Sequence, residues 1–161
     1  MHLLAKEEYG LRCLLQVARH AGQGPLSATM IAEAEGLGPA YALRLLGELR
    51  RGNLLRSRRG ATGGYWLARP ASQITVWDAV EALGRPLFVE CFCEWPPRQR
   101  RGCVHAADCS LRVLWRVGDR VLRELFERVS IADLIRTEQS LALALGVDEA
   151  TLPERAGQEE P

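Results

Sequence analysis

The spacing of apolar residues predicts three short helices in the first fifty residues. A helix over about 6–20 carries a one-sided apolar stripe of Leu11, Leu14, Leu15 and Ala18. A second helix over 28–35 follows Ser27, a residue type that caps helix starts. A third helix over 39–51 carries the stripe Ala42, Leu45, Leu46 and Leu49, with Tyr41, Arg44, Glu48 and Arg51 on its polar side. The short break before residue 39 makes the second and third helices a helix-turn-helix.

A β-hairpin is predicted directly after the third helix. Residues 54–58 and 65–68 have the composition of two short strands, and the glycine-rich segment 59–64 forms the turn between them. A helix-turn-helix followed by such a hairpin is the arrangement of a winged helix, the hairpin being the wing. We therefore predict a mostly α fold with a small β-hairpin, and we assign residues 1–70 to a winged helix-turn-helix domain.

The second half of the chain predicts a capped helix over 75–83, an irregular stretch over 86–110, and one long helix. That long helix has the longest apolar stripe in the sequence, made of Leu111, Leu114, Trp115, Gly118, Val121, Leu122, Leu125, Phe126 and Val129. Such a helix needs another surface to cover it, and a second copy of the chain supplies one, so we predict a homodimer. We assign 71–136 to the linker helix, cysteine-rich loop and dimerisation helix. Because the pattern decays after 136, we assign 137–161 to a partly disordered C-terminal tail.

The net charge of +1 conceals an uneven distribution. Residues 1–70 hold ten basic and five acidic residues, and seven arginines fall within 44–69. A basic patch on a winged helix predicts double-stranded DNA as the partner. The start of the third helix would enter the major groove and the hairpin tip the minor groove. The candidate DNA-binding residues are Ala40, Tyr41, Arg44, Arg51, Arg58, Arg59, Gly60, Thr62 and Gly63.

The sequence predicts a cytoplasmic protein without membrane contact. No apolar run approaches the roughly 20 residues that span a bilayer, and the N-terminus lacks an apolar secretory segment. In a reducing compartment, a local cluster of cysteines favours metal binding over disulfides.

Four of the five cysteines, Cys91, Cys93, Cys103 and Cys109, lie within nineteen residues. They lack the paired C-x-x-C spacing of a zinc ribbon, whereas thiolates from a flexible loop suit an iron–sulfur cluster. Zinc and unmetallated, redox-active thiols are the alternatives. A redox or electron-transfer protein using the same cysteines would leave the basic hairpin unexplained, so we expect a protein that is not an enzyme. The fifth cysteine, Cys13, is expected in the core.

Four segments of the chain carry a resemblance to a known family. They are Lys6-Glu-Glu-Tyr9-Gly10, Arg59-Gly-Ala-Thr-Gly-Gly-Tyr65-Trp-Leu67, the pair Cys103 and Cys109 followed by Leu114-Trp115, and Ile131-Ala-Asp-Leu134. Over about residues 1–136 the chain resembles the IscR/NsrR family of bacterial winged-helix repressors. The resemblance implies a homodimer that binds palindromic operators and senses iron–sulfur status, nitric oxide or redox state through a cluster.

The resemblance also implies a set of cluster ligands. The family pattern often has three cysteines spaced by five residues; Cys103 and Cys109 match the second and third, but Pro97 stands where the first would be. The first ligand then falls to Cys93, with Cys91 as the alternative. Arg112 replaces a histidine that some members use, whereas others take a carboxylate from the partner subunit's first helix, where Glu8 stands here. Both 2Fe–2S and 4Fe–4S clusters remain open.

Overall fold

The computed structural model describes residues 5–60, 62–84 and 108–147, and within them it confirms a mostly helical fold with one antiparallel hairpin. The helices are α1 (Ala5–Arg19), α2 (Ala28–Glu35), α3 (Pro39–Arg51), α4 (Val76–Leu83), α5 (Ser110–Arg128), α6 (Ile131–Leu134) and α7 (Glu138–Leu145). The strands are β1 (Leu55–Arg58) and β2 (Gly64–Leu67), with Leu55 opposite Leu67, and a 3-10 turn spans Ala71–Gln73. Cys91, Cys93, Cys103 and the tail 152–161 lie outside the described residues.

The helix starts follow from hydroxyl caps that the sequence predicts. The Ser27 hydroxyl accepts a hydrogen bond from the Met30 amide at 3.2 Å. At α4, Thr75 and Asp78 satisfy each other's backbone amides in a reciprocal capping box. Such a cap satisfies a backbone amide that has no hydrogen-bond partner within the helix, and it contributes about 1 kcal/mol to helix stability.

The core lies where α1 packs against α2, α3 and α4. From α1 it takes Cys13, Leu14, Val17 and Ala18, so the buried face is rotated slightly from the predicted stripe, and Leu11 and Leu15 are only half-buried. Gly10 sits against the side chain of Leu83, where an added Cβ would collide. This glycine therefore sets how closely α4 approaches α1.

A third backbone segment joins the hairpin and ties the wing to the domain. The Leu26 amide donates to the Tyr65 carbonyl at 2.9 Å, and the Tyr65 amide donates back to the Leu26 carbonyl at 2.8 Å. A single paired residue has no sequence periodicity, so this contact was not predicted.

The chain after 136 forms more structure than its decaying apolar pattern indicated. Helix α7 follows Thr137, whose hydroxyl accepts a hydrogen bond from the Ser140 amide at 3.3 Å. The helix has eight residues and buries Ala142 alone, too little for a visible stripe. The segment 137–161, predicted as a partly disordered tail, therefore includes the helix Glu138–Leu145, and its residues 148–161 lie outside the described chain.

The long helix α5 rests on α4 through its C-terminal half. Val129 packs with Val76 and Val80, and the Arg123 guanidinium lies 4.9 Å from the ring centroid of Trp77. The Val76 amide donates to the Val129 carbonyl at 2.9 Å, which fixes the end of α5 against the start of α4. Within the described parts of the chain, no helix has the length and apolarity to cross a bilayer.

Candidate nucleic-acid interface

The side of α3 that the core leaves uncovered carries Ala40, Leu43, Arg44, Arg50 and Arg51. Its buried side is the predicted stripe of Ala42, Leu45, Leu46 and Leu49. An exposed helix side with arginines fits the major groove, where guanidinium groups pair with guanine edges and phosphates. Leu43 was not predicted as a site residue, because DNA contacts were predicted only among polar and small side chains, although Leu43 lies outside the predicted apolar stripe.

Tyr41 and Glu48 turn toward α1, which corrects the expectation that both face away from the folded domain with Arg44 and Arg51. The Tyr41 ring is half-buried and stands edge-on to Tyr9, with centroids 6.3 Å apart and planes at 82°. Its predicted role in DNA contact stays a prediction.

Glu48 forms an ionic link between α1 and α3. Its carboxylate lies 2.7 Å from Lys6 Nζ and 3.5 Å from Arg44 Nε. Burial by itself would raise the pKa of Glu48, but the hydrogen bonds and positive charges of Lys6 and Arg44 outweigh it, and the pKa is lowered. Glu48 is therefore ionised at neutral pH and anchors α3 to α1.

The wing tip is held together by Arg58. Its guanidinium donates to the Thr62 carbonyl at 3.1 Å and to the Thr62 hydroxyl at 3.3 Å, which closes the hairpin. Gly60 adopts a positive φ of 108°, and a Cβ on Gly63 would strike the Arg58 carbonyl. Arg59 is exposed between these residues. The arrangement presents Arg59 at the end of a narrow hairpin, the shape that enters a minor groove.

The predicted metal ligands are only partly within the described chain. Cys109 is half-buried and directly precedes α5, whereas the other predicted cysteine ligands lie outside the described residues. Glu8 is exposed on α1. The described residues bring together no group of three His, Cys, Asp or Glu that could hold a metal ion. The ligand assignment stays a prediction.

Cys13 is a core residue, as predicted. Its side chain is fully buried, and that burial, together with the nearby Glu35 carboxylate, raises the pKa of the Cys13 thiol to about 11. A thiol that stays protonated at neutral pH is a poor metal ligand and nucleophile.

A family model described as "Rrf2: Iron-dependent Transcriptional regulator" matches residues 3–137. The HTH-type transcriptional regulator IscR of Sodalis glossinidius (strain morsitans) is 31% identical over 142 residues, which cover 88% of this chain and 82% of that protein. Protein rrf2 of Nitratidesulfovibrio vulgaris (strain Hildenborough) is 34% identical over 137 residues, covering 84% of this chain and 88% of the relative.

Two solved structures show the same fold. T. potens IscR aligns with a TM-score of 0.66 and 28% identity over 96% of this chain and 93% of its own. CymR (YrzC), the global cysteine regulator of B. subtilis, aligns with a TM-score of 0.67 and 27% identity over 84% of this chain and 96% of its own. With the family model spanning nearly the whole winged helix and α5, the chain belongs to the Rrf2 family of transcriptional regulators.

Proposed function

We propose that this regulator is a cytoplasmic, homodimeric repressor that binds a palindromic operator and senses iron–sulfur status, nitric oxide or redox state through a cysteine-bound cluster. The observation that carries the DNA-binding part is the exposed arginine side of α3 in the same domain as the Arg58-braced wing. Major-groove contact through Arg44 and minor-groove contact through Arg59 follow from that placement.

The uncovered stripe of α5 supports the homodimer. Leu111, Leu114, Val121 and Leu125 are exposed, although their spacing is that of a buried helix face. Gly118 lies within the same stripe, where its lack of a side chain permits close approach of a second helix. Two copies joined here would carry two recognition helices, which a palindromic operator engages about one helical turn of DNA apart.

The donor set supports an iron–sulfur cluster. Cys109 stands half-buried at the start of α5, and Glu8 is exposed on α1, so neither ligand is locked in the core. Cys109 would join Cys103 and either Cys93 or Cys91 to give three thiolates, and Glu8 of the partner subunit would add a carboxylate. Such a set suits iron–sulfur chemistry. The bound group would supply a centre that reacts with oxidants and nitric oxide. The description of the matching family model as iron-dependent favours the same assignment.

Contacts within the described chain couple the helices that carry or follow the proposed ligands to α3 and α4. Lys6, two residues before Glu8, pairs with Glu48 on α3, and Glu48 contacts Arg44. Helix α5, which directly follows Cys109, contacts α4 through Arg123 and Trp77. We infer that a change in the ligation of Glu8 or Cys109 shifts α1 and α5, and with them the spacing of the two recognition helices.

Cysteine substitutions test the cluster. Protein purified without oxygen is expected to contain iron and sulfide and to lose its visible absorption on exposure to nitric oxide. Cys109→Ala is expected to lack iron, whereas Cys13→Ala, which removes the buried core thiol, is expected to retain it. Iron and sulfide analysis with visible spectroscopy measures both. Colourless, iron-free protein after anaerobic reconstitution would contradict the cluster and favour a zinc- or thiol-based regulator, while leaving DNA binding intact.

Removing the arginine at the wing tip tests the DNA contact. Arg59→Ala is expected to weaken binding to operator DNA about 150-fold, because the homodimer loses one charged hydrogen bond in each half-site and each contributes about 1.5 kcal/mol to affinity once solvation is included. The slope of log affinity against log salt should become shallower by about one for each phosphate that the variant no longer neutralises.

The matched control for Arg59→Ala is Arg116→Ala, which neutralises an exposed arginine on the outer side of α5. It should leave both affinity and salt slope unchanged when binding is measured by fluorescence anisotropy. Equal effects of the two substitutions would show that only net charge matters and would refute the wing contact.

A further inference from the structure

We propose that Leu43 reads the 5-methyl group of a thymine in each operator half-site. This assignment rests on the proposed function, because it requires α3 to lie in the major groove. It names the base-reading residue that the arginine pattern alone does not identify.

Leu43 is half-exposed in a position that the domain does not use. Its exposed fraction is 50%, although the leucines at 45, 46 and 49 in the same helix are completely buried. On a helix of 3.6 residues per turn, Leu43 falls on the side shared with Ala40, Arg44, Gly47 and Arg51, opposite the core. It is therefore on the side of α3 that carries the candidate DNA contacts.

The neighbours of Leu43 allow a close approach to the groove floor. Ala40 and Gly47 lie one turn before and one turn after it, and apart from the adjacent residues and the backbone of α3 itself, no described atom lies within 4 Å of the position a Cβ on Gly47 would occupy. A long apolar side chain thus stands between two small residues on a surface that is otherwise positively charged. Such a surface can bring the leucine methyl groups within van der Waals distance of base edges.

The side-chain chemistry of α3 leaves few ways to read bases. The helix contains no Asn, Gln, Ser or Thr, so its exposed hydrogen-bonding side chains are arginines. Arginine distinguishes guanine, whereas in the major groove thymine alone presents a methyl group, which apolar side chains contact. We therefore expect Leu43 to contact a thymine beside the base pair that Arg44 contacts.

The test removes only the methyl group. Duplexes that bind the full-length chain are first selected from a random-sequence library, and each thymine of the selected operator is then replaced by deoxyuracil. Each half-site should contain one thymine whose replacement by deoxyuracil, in that half-site alone, lowers the affinity about fourfold, the effect of removing one buried methyl group. Replacing both symmetry-related thymines should lower it about fifteenfold. Putting 5-methylcytosine rather than cytosine at that position should recover part of the affinity.

Leu43→Ala should bind the thymine and deoxyuracil operators equally. Leu143→Ala, which shortens a leucine that is 84% exposed on α7, should keep the full difference. A Leu43→Ala chain that still prefers thymine, or a wild-type chain indifferent to every thymine methyl, would overturn the assignment while leaving DNA binding intact. A wild-type chain that retains no duplex would overturn the proposed function and this assignment together.

Discussion

A glutamate in place of Val121 is expected to convert the proposed homodimer to monomers and to lower operator affinity about 100-fold or more. Val121 is 57% exposed in the isolated chain and lies on the uncovered stripe of α5 with Leu114 and Leu125. In a dimer joined along this stripe, the new carboxylates would be buried facing apolar side chains, at a cost that exceeds the gain from association. Light scattering after size exclusion, together with operator titration, measures both effects.

Arg120→Glu is the matched control for Val121→Glu. It places the same carboxylate one residue earlier, on the arginine-bearing side of α5, where the side chain is exposed. We expect it to remain dimeric. A Val121→Glu chain that stays dimeric at the same protein concentration would show that another surface joins the subunits.

Gly64→Ala is expected to destabilise the wing and the domain by about 3 kcal/mol, the combined cost of backbone strain and overpacking. Gly64 has a φ of +153°, and an added Cβ would lie 2.6 Å from the Leu26 carbonyl oxygen. That oxygen accepts the hydrogen bond that ties the hairpin to the segment before α2. Thermal unfolding followed by circular dichroism should show a midpoint about 10 °C lower.

The same glycine-to-alanine change at Gly47 is expected to stabilise the chain instead. Apart from the adjacent residues and the backbone of α3 itself, no described atom lies within 4 Å of the added methyl group, and alanine favours a helix over glycine by about 1 kcal/mol, so the midpoint should rise. Both variants must be compared at one protein concentration, because the unfolding midpoint of the proposed homodimer would depend on it. Equal midpoints for Gly64→Ala and the wild-type chain would show that the Leu26 contact does not constrain the wing.

The helices and the hairpin were predictable because their determinants are local. Ser27 and Thr75 cap the helices that follow them, and the glycine-rich turn after Arg59 separates two short strands. Each of these depends on residues within a few positions of one another. The long stripe of α5 was equally visible, since nineteen residues give several turns of periodicity.

The candidate site was less predictable, because the exposure of a helix side chain depends on which other element of the fold packs against it. Tyr41 and Glu48 belong to the polar side of α3 by pattern, yet α1 covers them through Tyr9 and Lys6. Leu43 lies outside the predicted stripe of α3, and half of its surface stays uncovered by the described chain, but its apolar side chain did not mark it as a candidate DNA contact. Tyr41 and Glu48 differ from expectation because their packing partners lie more than thirty residues away in the chain, at a distance that no local pattern spans.

The sequence by itself determined helices α1 to α5 and the hairpin, their order, the basic character of the winged helix and the presence of an apolar stripe on α5. Hydrogen bonds between near neighbours and the periodicity of apolar side chains are sufficient for those. Only the tertiary structure decided that Leu26 joins the hairpin and that α1 covers Tyr41 and Glu48. Those features depend on how segments distant in sequence exclude water from one another, which no local pattern records.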